Sequence, residues 1–235
     1  MNIPILYEDN QILVVDKPRD MHVHPTKLSR GELSVQSVLE EEGTRRLFPV
    51  HRLDRPVGGV LLFAKNAESA STLGASFRWQ RNIEKRYLCV VRGWLDDAGL
   101  ISRPLRQAPG KSGREAKTKW KVLSTVEASW PDGSFFPHSR YSLVECMPLS
   151  GRYHQIRRHF SGVSHPIIGD IAHGDNPRNR IWLRETQIDG LMLRAQQLCF
   201  LHPTSGQRIS LNAAPDARFL KVARVFNWEE NLVSS

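Results

Sequence analysis

Ile5-Leu6-Tyr7-Glu8-Asp9-Asn10-Gln11-Ile12-Leu13-Val14-Val15-Asp16-Lys17-Pro18 sets two β-rich apolar runs on either side of a polar Glu-Asp-Asn-Gln turn. The second run stops where proline removes a ladder donor, so the stretch reads as a β-hairpin. Outward from it, Ser34 precedes Val35, Val38 and Leu39 at helical spacing, with Gly43 placed as a terminator. Val60 to Ala64 is an apolar run of strand length, and Ala67, Ala70, Leu73 and Phe77 share one helical face, which predicts a helix from 67 to about 81. Tyr87 to Val91 returns to strand. A second hairpin is predicted from the alternation around Trp120 and Val122 and the run Tyr141 to Met147, with Pro131-Asp132-Gly133-Ser134 as its turn signal. Residues 152 to 161 read as a short helix ended by Gly162. Met192 to Phe200 and Ile209 to Leu211 read as strands around Pro203-Thr204-Ser205-Gly206, and 216 to 226 as a last helix. Strands and helices mix without a regular βαβ rhythm, which predicts an α+β fold around a largely antiparallel sheet.

At 235 residues, 40% hydrophobic and 24% charged, the composition is that of a folded globular protein, and one domain over 1–235 is expected. No repeat, low-complexity tract or linker interrupts it. No apolar run approaches the ~20 residues that span a membrane, and the first residues lack the basic and apolar regions of a signal peptide. A cytoplasmic protein without membrane partners is the expectation. Cys89, Cys146 and Cys199 are far apart in apolar strand-like contexts, so buried reduced thiols are expected. The 33 Lys and Arg exceed the 24 Asp and Glu by nine, which makes a polyanion a plausible partner. Between Arg103 and Lys121, seven cations face Glu115 alone, in a stretch whose first half, with Pro104, Pro109, Gly110 and Gly113, is loop.

Three segments could carry chemistry. His51-Arg52-Leu53-Asp54-Arg55-Pro56-Val57-Gly58-Gly59 is a charged, glycine-rich turn before a strand, where sites tend to lie. An aspartate between two arginines can be held ionised, because nearby positive charge favours the carboxylate, and could act as a nucleophile. Read alone, the stretch fits a salt-bridged turn better. Gly151-Arg152-Tyr153-His154-Gln155-Ile156-Arg157-Arg158-His159 is a helix start rich in donors and cations, suited to an anion. A solvated basic face is the bland alternative. Glu84-Lys85-Arg86-Tyr87 brings a basic pair and a tyrosine to a strand entry, where the ring could stack on a base or simply be core. Neither His22 with His24 nor His154 with His159 is completed by cysteines or an acidic cluster, so no metal site is expected, and no nucleotide-cofactor fingerprint occurs.

Taken together, these segments resemble the RluA-type RNA pseudouridine synthase family. The matching residues are Leu13 to Pro18 with His24-Pro25, His51-Arg52-Leu53-Asp54 with Gly58-Gly59, Lys85-Arg86-Tyr87, Gly151 to Arg157, His165 to Asp170 and His202-Pro203, in the family's order. Within that family, His165 to Asp170 followed by His173-Gly174-Asp175 and Asn179-Arg180 looks most like the type that modifies uridine 65 of tRNA. The resemblance implies a pseudouridine synthase fold, a long mixed and mostly antiparallel β-sheet flanked by helices, with an RNA-binding cleft. It implies isomerisation of uridine to pseudouridine without cofactor or metal. It makes Asp54 the nucleophile, attacking sugar or base or assisting a glycal route. Tyr87 becomes the tyrosine against the target uracil, and Arg157 the arginine that pairs with the aspartate. Arg52 would help fill the space left by the flipped nucleotide, and His51, Arg152, His154 and Gln155 would bind substrate. Gly58 stands where many members carry serine, which removes a hydroxyl but not the turn. The S4 RNA-binding module of some relatives is expected to be absent, because the pattern starts within the first ten residues. The partner implied is tRNA, bound by a monomer. Ribosomal RNA as substrate, a non-catalytic basic RNA-binding protein on the same scaffold, and a hydrolase using Asp54 with His51 are the alternatives.

Overall fold

The computed structural model describes residues 2–25, 31–41, 43, 46–108, 110–133 and 136–233. Two residues of the expected loops, Pro109 and Ser134, lie outside that set. In chain order the elements are β1 (Ile5–Glu8), β2 (Ile12–Lys17), α1 (Val35–Glu41), β3 (Phe48–Pro49), β4 (Gly58–Ala64), α2 (Ala67–Trp79), β5 (Glu84–Arg92), β6 (Ala98–Ser102), β7 (Leu105–Arg106), β8 (Gly113–Arg114), β9 (Lys117–Ala128), β10 (Ser139–Pro148), α3 (Gln155–Gly162), α4 (Asn176–Thr186), β11 (Leu193–Leu201), β12 (Arg208–Asn212), α5 (Ala217–Phe226) and α6 (Glu229–Val233). They belong to two compact units, Met1–Lys85 with Ala195–Ala214, and Arg86–Arg194 with Pro215–Ser235. The chain passes from the first unit to the second inside β5, returns inside β11, and passes to the second again at Ala214–Pro215, between β12 and α5.

In the first unit, β1 and β2 form the expected hairpin, with Tyr7 opposite Val14 and Glu8 opposite Leu13. Asp9 holds its turn, since Oδ1 accepts from the amides of Gln11 and Ile12 at 2.7 and 2.8 Å. β2 continues antiparallel onto β4, which is buried along its whole length, as its unbroken apolar sequence requires. β11 and β12 make a further hairpin with Cys199 opposite Ser210. Gly59, at φ +119°, lies so close to Ala195 of β11 that a Cβ would fall on the Ala195 carbonyl oxygen. α2 starts where the Asn66 side chain accepts from the Ser69 amide at 2.9 Å, and it sends Leu73 into a core of Ile12, Val14, Val60, Leu62 and Phe200.

In the second unit the strand order is β5-β10-β9-β6, antiparallel at each pairing, with Tyr87 opposite Cys146 and Glu145 opposite Lys121. β7 and β8 form a small separate hairpin inside the basic stretch. α3 buries Ile156, Arg157, His159 and Phe160, and Phe160 meets Trp120 edge-on at 6.3 Å between centroids. Trp182, Tyr141 and Phe226 pack α4, β10 and α5 together, with the Tyr141 and Trp182 rings 4.9 Å apart. Each unit is thus a mostly antiparallel sheet with helices, and the α+β expectation holds. Cys89, Cys146 and Cys199 are free and buried, as expected. Among the described residues, no helix is long and apolar enough to cross a membrane.

Among the described residues, six elements go beyond the sequence reading: the two-residue strands β3, β7 and β8, of which β7 and β8 stand where a loop was expected, and β6, α4 and α6. α4 buries only Trp182 and Thr186, too few residues to show a helical apolar stripe. Its start was nonetheless written locally, in Asp175, which caps the Arg178 amide, and in Pro177 in the first turn. β6 carries a single buried residue, Ile101, so its pattern is equally faint.

Candidate active site

In the first unit, the loop between β3 and β4 carries His51, Arg52 and Asp54. Lys17, at the end of β2, lies fully buried beneath this loop and donates Nζ to the carbonyls of Pro18 and Arg55 at 2.8 and 3.1 Å. Burial pushes its pKa down to about 7 against the opposing pull of the Asp20 and Asp54 carboxylates. His51 anchors the other end of the loop. Its Nε2 accepts from the Leu62 amide at 3.0 Å, and its ring stacks on Phe77 of α2 at 4.6 Å. Burial, reinforced by the Lys85 charge, lowers the His51 pKa to about 3, so the ring is neutral with its proton on Nδ1. Between these anchors the Val57 amide donates to the Asp54 carbonyl at 3.0 Å and closes the turn. Asp54 is half-buried and Arg52 exposed. Arg55 is held outward by the Asp20 carbonyl at 3.2 Å and by Glu32 at 3.5 Å.

In the second unit, Tyr87 is half-buried on β5, and the motif from Gly151 opens α3. His154 enters that helix in the left-handed region, at φ 51°, and its Nδ1 meets Nε2 of His173 at 2.8 Å. Gln155 is buried and fully engaged. Its amide donates to the Lys117 carbonyl at 2.9 Å and to Thr118 Oγ1 at 3.1 Å, while its oxygen accepts from Ser150 Oγ at 2.7 Å and the Arg152 amide at 3.0 Å. Arg152 reaches the Glu115 carbonyl at 3.1 Å.

Arg157 forks onto Asp170, with Nε to Oδ2 at 2.8 Å and Nη2 to Oδ1 at 2.7 Å. Oδ1 also accepts from the amides of Ala172 and His173, both at 3.0 Å. Burial raises the Asp170 pKa, but the guanidinium and the His173 amide outweigh it, so the carboxyl titrates below its usual range. Asn179 of α4 clasps this loop, its Oδ1 accepting from the Gly169 amide at 2.9 Å and its Nδ2 donating to the Asp170 carbonyl at 3.2 Å.

Three residues that hold these segments were not among the expected site residues: Lys17 in the first unit, and Asp170 and Asn179 in the second. All stand inside motifs already singled out, Val15-Asp16-Lys17-Pro18, His165 to Asp170 and Asn179-Arg180, and that was the available signal. Among the described residues, no group of three or more His, Cys, Asp or Glu is placed to hold a metal ion.

The profile of the RNA pseudouridylate synthase family matches residues 11–162, and the chain belongs to that family. The tRNA pseudouridine synthase C of Pasteurella multocida is 37% identical over 99% of this chain and 100% of its own length. That of Salmonella typhi is 38% identical over 96% of this chain and 90% of its own length. Among solved structures, human RNA Pseudouridylate Synthase Domain Containing 4 shares the fold with a TM-score of 0.71 at 23% identity, covering 94% of this chain and 92% of that one.

Proposed function

We propose that this protein isomerises uridine to pseudouridine in tRNA, at uridine 65, with Asp54 as nucleophile. The observation that carries the substrate is likeness along the whole length to tRNA pseudouridine synthase C of Pasteurella multocida. For the chemistry, Asp54 stands on a turn fixed from below by Lys17 and from behind by His51. A nucleophile gains from such fixation because the position of the reacting group is set before substrate arrives.

The reaction breaks the bond from sugar carbon 1′ to uracil nitrogen 1 and makes a bond from carbon 1′ to carbon 5. The carbon 5 proton leaves and nitrogen 1 gains one, so the atoms balance without a cofactor. Asp54 assists the bond cleavage, and Tyr87 lies against the uracil and takes part in removal of the carbon 5 proton. Extruding the target nucleotide costs roughly a few kcal/mol of unstacking, and Arg52, exposed on the Asp54 loop, fills the vacated place. Arg157 holds the helix start at the site. His51 and Gln155 act through the backbone they hold, whereas Arg152 and His154 face substrate.

The test is tritium release from unmodified tRNA labelled at uridine carbon 5, followed by mapping of the product. Wild-type protein is expected to release tritium, and Asp54→Asn to release none while binding tRNA within a few-fold of wild type. Near-normal release by Asp54→Asn would sink the nucleophile assignment. Release mapped to another uridine would keep the chemistry and discard position 65.

A further inference from the structure

An open cavity of about 760 Å³ in the second unit is lined by Arg103, Arg106, Arg158 and His173, together with Pro104, Leu105, Gly113, Ser161 and Gly162. No carboxylate stands among these lining residues. Three guanidiniums around one space repel one another, and an anion in the middle removes that repulsion while accepting their forked donors. Two of the arginines are held in place by backbone. Arg103 Nη1 donates to the Gly162 carbonyl at 3.1 Å, and Arg158 Nη1 to the Arg106 carbonyl at 2.9 Å. Arg106 itself is exposed on β7. Each fixed arginine retains further donors for a ligand.

Beside the cavity stands a stack of rings. Tyr153 lies on His154 at 3.7 Å between centroids with 21° between planes, and His154 meets His173 edge-on at 5.0 Å. His173 therefore belongs both to the stack and to the cavity wall. Tyr153 is 57% exposed even with one face on His154, so its other face is open. Its carbonyl lies 3.5 Å from Arg158 Nη1, which ties the stack to the arginines.

We infer that Tyr153 and the arginine cavity form a second nucleotide subsite, in which an unpaired RNA base stacks on the open face of Tyr153 and its phosphodiester enters between Arg103, Arg106 and Arg158. An aromatic platform beside fixed guanidiniums is the arrangement that grips unpaired nucleotides without reading their sequence. The volume falls within the range of sites that take small ligands or single nucleotide units. The subsite rests on the proposed function only for the identity of the RNA. It gives the enzyme a hold on substrate apart from the uridine that reacts.

The experiment measures the affinity of unmodified tRNA against salt for wild type, Arg106→Ala, Tyr153→Ala and Tyr153→Phe, with tritium release by wild type assayed on the same tRNA. Arg106→Ala is expected to weaken binding and lower the log–log salt slope by roughly 0.7 to 0.9, the loss of one phosphate contact. Tyr153→Ala is expected to raise Kd by at least about fivefold with the slope kept, the weak end of what base stacking contributes. Tyr153→Phe should bind like wild type. An unchanged slope for Arg106→Ala, or a Kd within twofold for Tyr153→Ala, overturns the subsite. Ultraviolet crosslinking of wild-type protein to the tRNA gives a second check, with Tyr153 expected among the crosslinked residues and its absence counting against the subsite. Wild-type tritium release alongside unchanged variants refutes the subsite and leaves the reaction standing. The opposite result, no release with the expected binding defects, refutes the reaction and leaves the subsite standing.

Discussion

Protonating His51 would break its acceptor bond from the Leu62 amide and place a charge near Lys85. Its folded pKa of about 3 lies below the ~6.5 of an unfolded histidine, so between those values the unfolded state binds more protons. The stability contribution is complete above about pH 6.5 and falls as pH drops, by up to about 1.4 kcal/mol per pH unit. Denaturant unfolding at several pH values should show wild type losing stability from pH 6.5 to 4.5 more steeply than His51→Gln. Equal slopes would mean that the ring is not held neutral. At Lys17 the sign is the same but the window differs, because a folded pKa of about 7 lies below the unfolded ~10.4, so its burial penalty fades as pH rises from about 7. The His51-Arg52-Leu53-Asp54 motif was legible in the sequence, but the inward commitment of His51 was not. It depends on Leu62 and Phe77, eleven and twenty-six positions away.

α3 and the loop from His165 to Asp175 behave as one fastened piece, and the fastener is Asp170. Replacing it with alanine removes both Arg157 bonds and two amide bonds at a residue only 1% exposed. The expected cost is about 3–5 kcal/mol, the usual range for breaking a buried ion pair, read as a lower thermal midpoint. Arg157→Lys should recover little of the wild-type stability, since an ammonium is a point charge and cannot fork. Because the Asp170 carboxyl is depressed, its contribution is present above about pH 4 and is lost as pH falls through the lower folded value. A midpoint within 1 °C of wild type for Asp170→Ala would show that the fork adds nothing. Strands and helices with a regular apolar period were readable from sequence, as β4 and α2 show. α4 was not, because its contribution to the core is essentially Trp182, and one residue carries no period.

Across the whole molecule, the excess of nine positive charges is expected to make tRNA binding strongly dependent on salt. Raising salt from 50 to 200 mM should weaken it by at least tenfold, and by about 10³ if six phosphates are contacted. An affinity flat across that range would show that the charge excess plays no part in binding. The absence of a linker in the sequence is consistent with how the chain moves between its two units. It does so inside β5, inside β11 and at Ala214–Pro215 between β12 and α5; the first two crossings have the composition of strands, so composition does not mark them. The sequence by itself determined the identities and order of the motif residues, the charge, the β1–β2, β9–β10 and β11–β12 hairpins and most helices, because caps, turns and apolar period act over a few neighbouring positions. Only the tertiary structure decided that Arg157 takes Asp170, that Gln155 is held by Lys117 and Thr118, and that Arg103, Arg106 and Arg158 share one cavity. Partner choice among polar side chains is set by which groups burial brings within hydrogen-bond reach, and that depends on residues far apart along the chain.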